Sequence, residues 1–244
     1  MSTTTTAFDR SAPRYDVMTS LNPGYHTELR RLSEALVGRL GDGGGTPLNL
    51  ADLACGTGLS TRALVDAAPD GSRVLGLDAS PGMLAQARSK RWPIGVRFAT
   101  AVAGSLDAAA LGAGRFDGVQ AAYLFRNVPA EARDRAVTEV FELLRPGGWL
   151  AVQEYSVAGD PRARAVWEAV SRGVIIPLGT VVDRHPSLYR YLRRSVLEFD
   201  SVDAFADRLV AAGFVDVAHR TAAGWQRGVL HTFCLLYTSP SPRD

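Results

Sequence analysis

Leu50-Ala51-Asp52-Leu53-Ala54-Cys55-Gly56-Thr57-Gly58-Leu59-Ser60 decides the fold, because an apolar run ends there in two glycines and a helix-starting residue. A strand that turns into a helix in this way is the opening unit of an α/β sheet. Without a Cβ, Gly56 and Gly58 can take backbone angles closed to other residues and can let a ligand approach the chain. In open α/β sheets ligands bind outside the carboxyl ends of the strands, near the point where strand order reverses, so this loop is the first candidate contact.

The same alternation continues downstream. Strands are predicted at about Leu48 to Ala54, Arg73 to Leu77, Val96 to Ala99, Gly118 to Leu124 and Trp149 to Glu154. The first intervening helix is predicted from Ser60 to Ala68, and Pro81 opens the next at a first-turn position where a missing N–H costs nothing. Pro129 opens the most amphipathic helix, with Val137, Val140, Phe141 and Leu144 on one face, and Pro146-Gly147-Gly148 stops it. Strands alternating with helices imply a parallel, doubly wound, Rossmann-like sheet. A last helix from Val202 to Ala212 and an antiparallel hairpin of Phe214 to His219 with Val229 to Leu235 would bring the mostly parallel sheet to seven strands.

The flanks read differently. Leu29, Leu32, Leu36 and Leu40 recur at helical spacing until Gly41 to Gly45 end the run. Before them, Phe8 to His26 mixes Phe8, Tyr15, Met18, Leu21 and Tyr25 with the turn formers Pro13, Asn22, Pro23 and Gly24, and is predicted to drape over a site without regular structure. Two helical pieces, Ala163 to Ile175 and Ser187 to Leu197, are expected to be separated by Pro177 and Gly179 and to cover part of the site. The expected organisation is an N-terminal cover and helix at 1–45, a ligand-binding core at 46–157, a helical cover at 158–200 and the end of the sheet at 201–233. Residues 234–244, ending Ser239-Pro240-Ser241-Pro242-Arg243-Asp244, look like a translated sequencing adapter; finding the same codons in the intact locus would refute that reading.

Composition narrows the class of function. The 244 residues suffice for one large α/β domain with its own core. A net charge of +2 with mostly scattered basic residues argues against nucleic acid, and the cluster Arg190, Arg193 and Arg194 reads as a solvated helix face. Two distant cysteines, Cys55 and Cys234, indicate neither a disulfide framework nor a metal site and fit the cytosol. Cys55 reads as a small loop residue, since nothing near it in the sequence would lower its pKa. No apolar stretch approaches the roughly 20 residues that span a bilayer; the nearest, Gly173 to Val182, is broken by Pro177.

The loop's chemistry points to a nucleoside. Asp52, Gly56 and Gly58 fit an acid followed by a small residue and two glycines, and Asp78 closes the second strand within Leu77-Asp78-Ala79-Ser80. A carboxylate there can accept both hydroxyls of a ribose. A dinucleotide site calls for a third glycine so that a helix N-terminus can meet the pyrophosphate, and Thr61 stands in that place. The ligand expected is therefore a nucleoside without phosphates, such as S-adenosylmethionine.

Asp52 to Gly58 resembles the first motif of class I S-adenosylmethionine-dependent methyltransferases, and Asp78 their ribose acid. Four further blocks resemble the ubiquinone/menaquinone biosynthesis C-methyltransferases: Phe8-Asp9 to Tyr15-Asp16-Val17-Met18; Phe125-Arg126-Asn127-Val128; Leu144-Arg145-Pro146-Gly147-Gly148 through Glu154-Tyr155-Ser156; and Ile176-Pro177-Leu178-Gly179 with Tyr189-Arg190-Tyr191-Leu192. The resemblance implies that Asp52, Ala54, Gly56, Thr57 and Gly58 hold the amino-acid end of the cofactor, Asp78 and Ala79 the ribose, and Met83 the adenine, with Tyr15 reaching in from the cover. Arg126 and Asn127 would face the acceptor, a small aromatic or quinol whose ring carbon is methylated, and a lipid quinol would bring peripheral membrane contact. Two departures stand out: Ala101-Val102-Ala103-Gly104-Ser105 replaces the stretch where the family carries an acid, with Asp107 out of register, and Tyr123-Leu124-Phe125 makes a bulkier wall. Because a guanidinium stays protonated, Arg126 is expected to stabilise a phenolate or orient a water, which Asn127 could hold, with Glu154 as the nearby carboxylate and His185 as a loop imidazole. The alternatives are an O- or N-methyltransferase of the same fold, or a binding protein without catalysis.

Overall fold

The computed structural model describes residues 3–41, 45–183 and 186–237, with side chains from Thr6 onward. Apolar runs form seven strands: β1 (Asn49–Leu53), β2 (Arg73–Asp78), β3 (Val96–Thr100), β4 (Phe116–Ala122), β5 (Leu144–Tyr155), β6 (Phe214–Thr221) and β7 (Leu230–Tyr237). They pair in the order β3-β2-β1-β4-β5-β7-β6. Neighbours from β3 through β5 are parallel, whereas β7 runs antiparallel to both β5 and β6. Strand order therefore reverses between β1 and β4, and the carboxyl ends of those two strands mark the switch point.

Alternation along each strand sorts side chains onto two cores. On one face Ala51, Leu53, Val119 and Leu150 meet α6 (Arg133–Leu143) and α10 (Val202–Ala211) through Val137, Val140, Phe205 and Leu209. On the other, Leu50, Val74 and Ala151 meet α2 (Tyr25–Arg39) and α3 (Leu59–Ala67) through Leu29, Leu32, Leu36 and Leu64. The helix α4 (Pro81–Ser89) joins β2 to β3, and the short α5 (Ala108–Leu111) is capped by Asp107, whose carboxylate accepts the Ala110 N–H.

Four expectations are corrected. The N-terminal segment is a helix, α1 (Thr3–Ser20), despite Pro13 inside it. Proline removes a backbone donor and costs a helix stability, so α1 is held by side-chain anchors: Ser80 Oγ and the Gly82 N–H donate to Asp9, Lys90 Nζ donates to Asp16, and Ser11 Oγ donates to buried Asp183. Pro129 opens a 3₁₀ turn (Ala130–Ala132) instead of α6 itself, and Leu144 belongs to β5, paired with Phe116. Arg133 anchors the start of α6 by donating to the Val128 carbonyl and to Asp200.

Pro177 does not break its helix. The run α7 (Pro161–Val170), a π turn (Ser171–Ile175) and α8 (Ile176–Val182) form one uninterrupted helix before α9 (Pro186–Leu197). A proline cannot donate to the carbonyl four residues back and its ring crowds that carbonyl, which a wider π turn relieves. The result is a 22-residue helix, Pro161–Val182, long and apolar enough by length and composition to cross a membrane, contrary to the expectation from the broken sequence.

Candidate functional site

A cavity of about 440 Å³ opens at the switch point. Its floor is set by two sharp turns. Ala54, the first residue past β1, and Tyr123, the first past β4, both take left-handed backbone angles, φ +55° and +60°. Non-glycine residues rarely adopt these angles, and such strain concentrates at functional sites. Tyr123 is fixed by its N–H donating to the Gln153 carbonyl and by Asn127 Nδ2 donating to its own carbonyl.

Of the residues singled out in the sequence, Tyr15, Ala54, Gly56, Thr57, Asp78, Ala79, Met83, Arg126 and Asn127 all line this cavity. Asp78 ends β2, with the Gly56 N–H donating to its Oδ2 and the Ser80 N–H to its Oδ1, each at 2.8 Å. Each oxygen keeps a further lone pair free. Burial raises the Asp78 pKa, opposed by those two N–H donors. Gly56 takes φ +55° with open space where a Cβ would stand, so a ligand can approach its backbone.

Asp52, Gly58 and Glu154 are placed elsewhere. The β1 pleat turns Asp52 to the α2 and α3 side, fully buried. There Ser60 Oγ (2.8 Å), Thr61 Oγ1 (2.6 Å) and Gln120 Nε2 (3.2 Å) donate to its carboxylate, and Ser33 Oγ donates to Gln120 in turn. Burial pushes its pKa up to about 6 against these hydrogen bonds. Asp52 thus ties β1, β4, α2 and α3 together beneath the loop. Gly58 sits at the head of α3 at φ +86°, where a Cβ would lie 2.8 Å from the Trp92 ring. Its smallness serves packing. Cys55 is buried and its thiol pKa is pushed well up by that burial, the opposite of a nucleophile's environment.

Arg126, in the cavity wall, pairs with buried Glu154 behind it. Arg126 Nε lies 3.5 Å from Glu154 Oε2, while Nη1 donates to Asn127 Oδ1 (3.2 Å) and Ser195 Oγ (3.4 Å). Nη2 is neither hydrogen-bonded nor sealed off, so it is the nitrogen left to face a ligand. Asn127 Oδ1 also accepts from the Tyr191 hydroxyl (3.1 Å), so this amide orients Arg126 and α9 and has no lone pair to spare for a bridging water. Glu154 is fully buried and does not line the cavity, and no side chain donates a hydrogen bond to its carboxylate. Burial lifts its pKa to about 7, opposed by the Arg126 charge. His185 lies outside the described residues.

Several lining residues were noted in the sequence without a role as ligand contacts. Phe8, Tyr25 and Tyr123 form an aromatic wall in which Tyr25 stacks on Tyr123 at 5.6 Å and Tyr123 on Tyr155 at 5.2 Å, with the Arg126 guanidinium 5.6 Å from the Tyr123 ring. Left-handed turns after strands carry no signature when the residue is tyrosine, which is why Tyr123 registered only as bulk. Ala101 through Leu106 line the far side, an apolar strip where an acid was missed. No described residue between 158 and 200 lines the cavity; α9 acts on it from behind through Tyr191 and Ser195. Among the described residues no group of acidic, histidine or cysteine side chains could hold a metal ion.

The model of the ubiE/COQ5 methyltransferase family matches residues 2–232. A relative from Methylobacterium nodulans, ubiquinone/menaquinone biosynthesis C-methyltransferase UbiE, is 36% identical over 222 residues, covering 89% of this chain and 84% of the relative. The demethylmenaquinone methyltransferase of Thermus thermophilus is 35% identical over 211 residues, 85% of this chain and 90% of its own. Among solved structures, phosphoethanolamine N-methyltransferase 2 of Haemonchus contortus in complex with S-adenosyl-L-methionine superposes with a TM-score of 0.60 at 16% identity, over 86% of this chain and 53% of its own length. At that identity the likeness speaks for the fold alone.

Proposed function

The chain belongs to the ubiE/COQ5 methyltransferase family, and from that premise we propose that it transfers a methyl group from S-adenosylmethionine to a ring carbon of a quinol-type acceptor. The observation that carries this reading is the charge pattern of the cavity. Asp78 and Arg126 are the only charged side chains that line it among the described residues. Asp78 ends β2 and Arg126 follows β4, strands that flank β1 on either side and lie about 10 Å apart. One is suited to a neutral diol and the other to a developing oxyanion.

The residues fit the cofactor. The free lone pairs of Asp78 can accept two ribose hydroxyls, the open backbone at Gly56 can take the amino-acid end, and Met83 with Ala101 to Leu106 offers an apolar slot for the adenine. S-adenosylmethionine supplies an electrophilic methyl group for in-line displacement, and the chain's share of the catalysis is positioning and exclusion of water. Arg126 presents Nη2 to the acceptor oxygen, stabilises the phenolate and so raises electron density on the ring carbon. It stays protonated throughout and cannot itself be the base. No carboxylate or imidazole touches the acceptor side among the described residues, so Arg126 works by lowering the pKa of the acceptor hydroxyl, whose proton leaves to solvent. Once the ring carbon has taken the methyl group, the hydrogen on that carbon leaves to solvent as a proton, the ring regains aromaticity and the oxygen is reprotonated. Asn127, Ser195 and Glu154 hold the guanidinium in place.

The acceptor class follows the names of the Methylobacterium and Thermus relatives and the aromatic wall of Phe8, Tyr15, Tyr25 and Tyr123. A prenylated acceptor would also bring the enzyme to a lipid surface. Incubation with isotope-labelled cofactor and a panel of demethylated quinols and phenols, with the product read by NMR, tests the reading. Label on a ring carbon of a quinol is expected. Label on oxygen or nitrogen, or no transfer to any member of the panel, would overturn it.

A further inference from the structure

We infer that the outward face of the helix Pro161–Val182, together with the end of α1, is a docking surface for an anionic lipid bilayer. In a soluble core a helix this apolar would be mostly buried, yet fewer than one in five residues of its most apolar stretch are. The inner face is committed to the fold. Trp167 packs on Tyr155 at 5.3 Å and donates its indole N–H to the Arg193 carbonyl, and Gly179 lies so close to α9 that a Cβ would meet the Tyr189 ring at 2.2 Å. With those contacts in place the helix cannot leave to span a membrane, so it presents its other face flat.

That other face is apolar. Val174, Pro177 and Val181 recur at three- and four-residue spacing, and Val174 and Val181 are 55% and 77% exposed. On α1, Arg14 donates to the carbonyl of Asp183, which caps α8, and Val17 on α1 and Leu21 just past its end are about half exposed. Four of the nine large apolar side chains exposed among the described residues, Val17, Val166, Val174 and Val181, belong to these two helices, and a fifth, Leu21, directly follows α1.

Charge selects the partner. Residues 161–197 hold seven arginines against two acids, a net +5 in a chain whose total is +2, so the remainder is net −3. Of the two acids, Asp183 is buried and Glu168 is already paired with Arg172 and Arg193. Arg162, Arg164, Arg190 and Arg194 have no carboxylate within ion-pair reach among the described residues. An apolar stripe on a helix whose first turn carries Arg162 and Arg164, with Arg190 and Arg194 on the adjoining α9, matches the headgroup region of an anionic bilayer. A two-fold contact with a second copy would set the same arginines against each other. The α1 helix also brings Phe8 and Tyr15 into the cavity wall, so the face adjoins the site, and the inference rests on the quinol reading only for its purpose.

Co-sedimentation of the full chain with vesicles tests it without acceptor or activity. Vesicles of equal parts phosphatidylcholine and phosphatidylglycerol should pellet the protein, phosphatidylcholine alone should not, and added salt should release it. Val174→Asp with Val181→Asp should weaken binding on the order of tenfold, as should Arg162→Glu with Arg164→Glu, while Val210→Asp on α10 should leave it unchanged. Circular dichroism confirms that each variant is folded. No pelleting on anionic vesicles, or a double valine variant that binds like the wild type, would overturn the inference. So would a dimer in sedimentation velocity that the same double variant dissolves. Methyl transfer to a short-chain, water-soluble quinol by the valine variant keeps the acceptor reading separate: its survival with lost vesicle binding is the expected pair of results.

Discussion

Glu154→Gln should change the pH dependence of stability in a direction that the buried pair fixes. Burial lifts the Glu154 carboxyl from an ordinary 4.5 to about 7 in the folded protein. A folded pKa above the unfolded one means that the native state binds the proton more tightly. Stability is therefore full below about pH 4.5 and is lost as pH rises to about 7. That rise corresponds to about 3 kcal/mol, most of which falls between roughly pH 5 and pH 8. Glutamine is neutral at every pH, so the variant escapes this loss. At about pH 5 both proteins place a neutral group beside Arg126 and should differ by less than about 1 kcal/mol; at about pH 8 the variant should be the more stable by on the order of 2 kcal/mol. Asp52 titrates over its own window in both proteins and cancels in the difference. Urea denaturation of wild type and variant across that range is the assay. Parallel stability curves would show that Glu154 titrates like an exposed carboxylate, and the argument from burial would fail.

Three other substitutions separate ligand contacts from scaffolding. Asp78→Asn should weaken S-adenosylmethionine binding in calorimetry by about 1–3 kcal/mol, since one acceptor for the ribose diol is replaced by a donor; unchanged affinity would refute the ribose role. Asp52→Ala leaves Ser60, Thr61 and Gln120 without their shared buried acceptor and should cost about 1–3 kcal/mol of stability in denaturant melts. Undiminished stability with an affinity loss larger than that of the Asp78 variant would place Asp52 on the ligand instead. Gly58→Ala forces a left-handed alanine against Trp92 and should destabilise by about 1–3 kcal/mol, whereas Gly38→Ala, exposed in the last turn of α2 with open space around it, should stabilise by up to about 1 kcal/mol; equal melting temperatures for the two variants would sink the steric account.

The parallel core was legible because its signals are local. A short apolar run bounded by glycine or proline reads as a strand whatever it packs against, and Leu50 to Leu53, Arg73 to Asp78 and the closing hairpin fell within a few residues of prediction. The N-terminal helix was not legible, since Pro13 and a threonine-rich start argue against helix and the forces that hold α1 come from Ser80, Gly82, Lys90 and Asp183, as many as 172 positions away. Pro177 misled for the same reason in reverse: proline predicts a break, but a π turn carries the helix past it.

Within the site, spacing located the residues and direction sorted them. Asp52 and Ala54 are two residues apart, and in a continuing strand they would share a face. The chain leaves the strand at Ala54, φ +55°, and from that residue on the loop faces the cavity while Asp52 remains underneath, bonded to Ser60 and Thr61 at the start of α3. The acid of the opening motif therefore works by fixing where Ala54 and Gly56 stand, and Thr61 belongs to the same device: its hydroxyl completes the carboxylate's partners in the position where a dinucleotide site would need a glycine. Once the loop is fixed from beneath, its own backbone need not reorganise when a ligand arrives. Asp78 is held in the same manner by the Gly56 N–H, so the acid read as the ribose ligand and the glycine read as the approach point are set in one step.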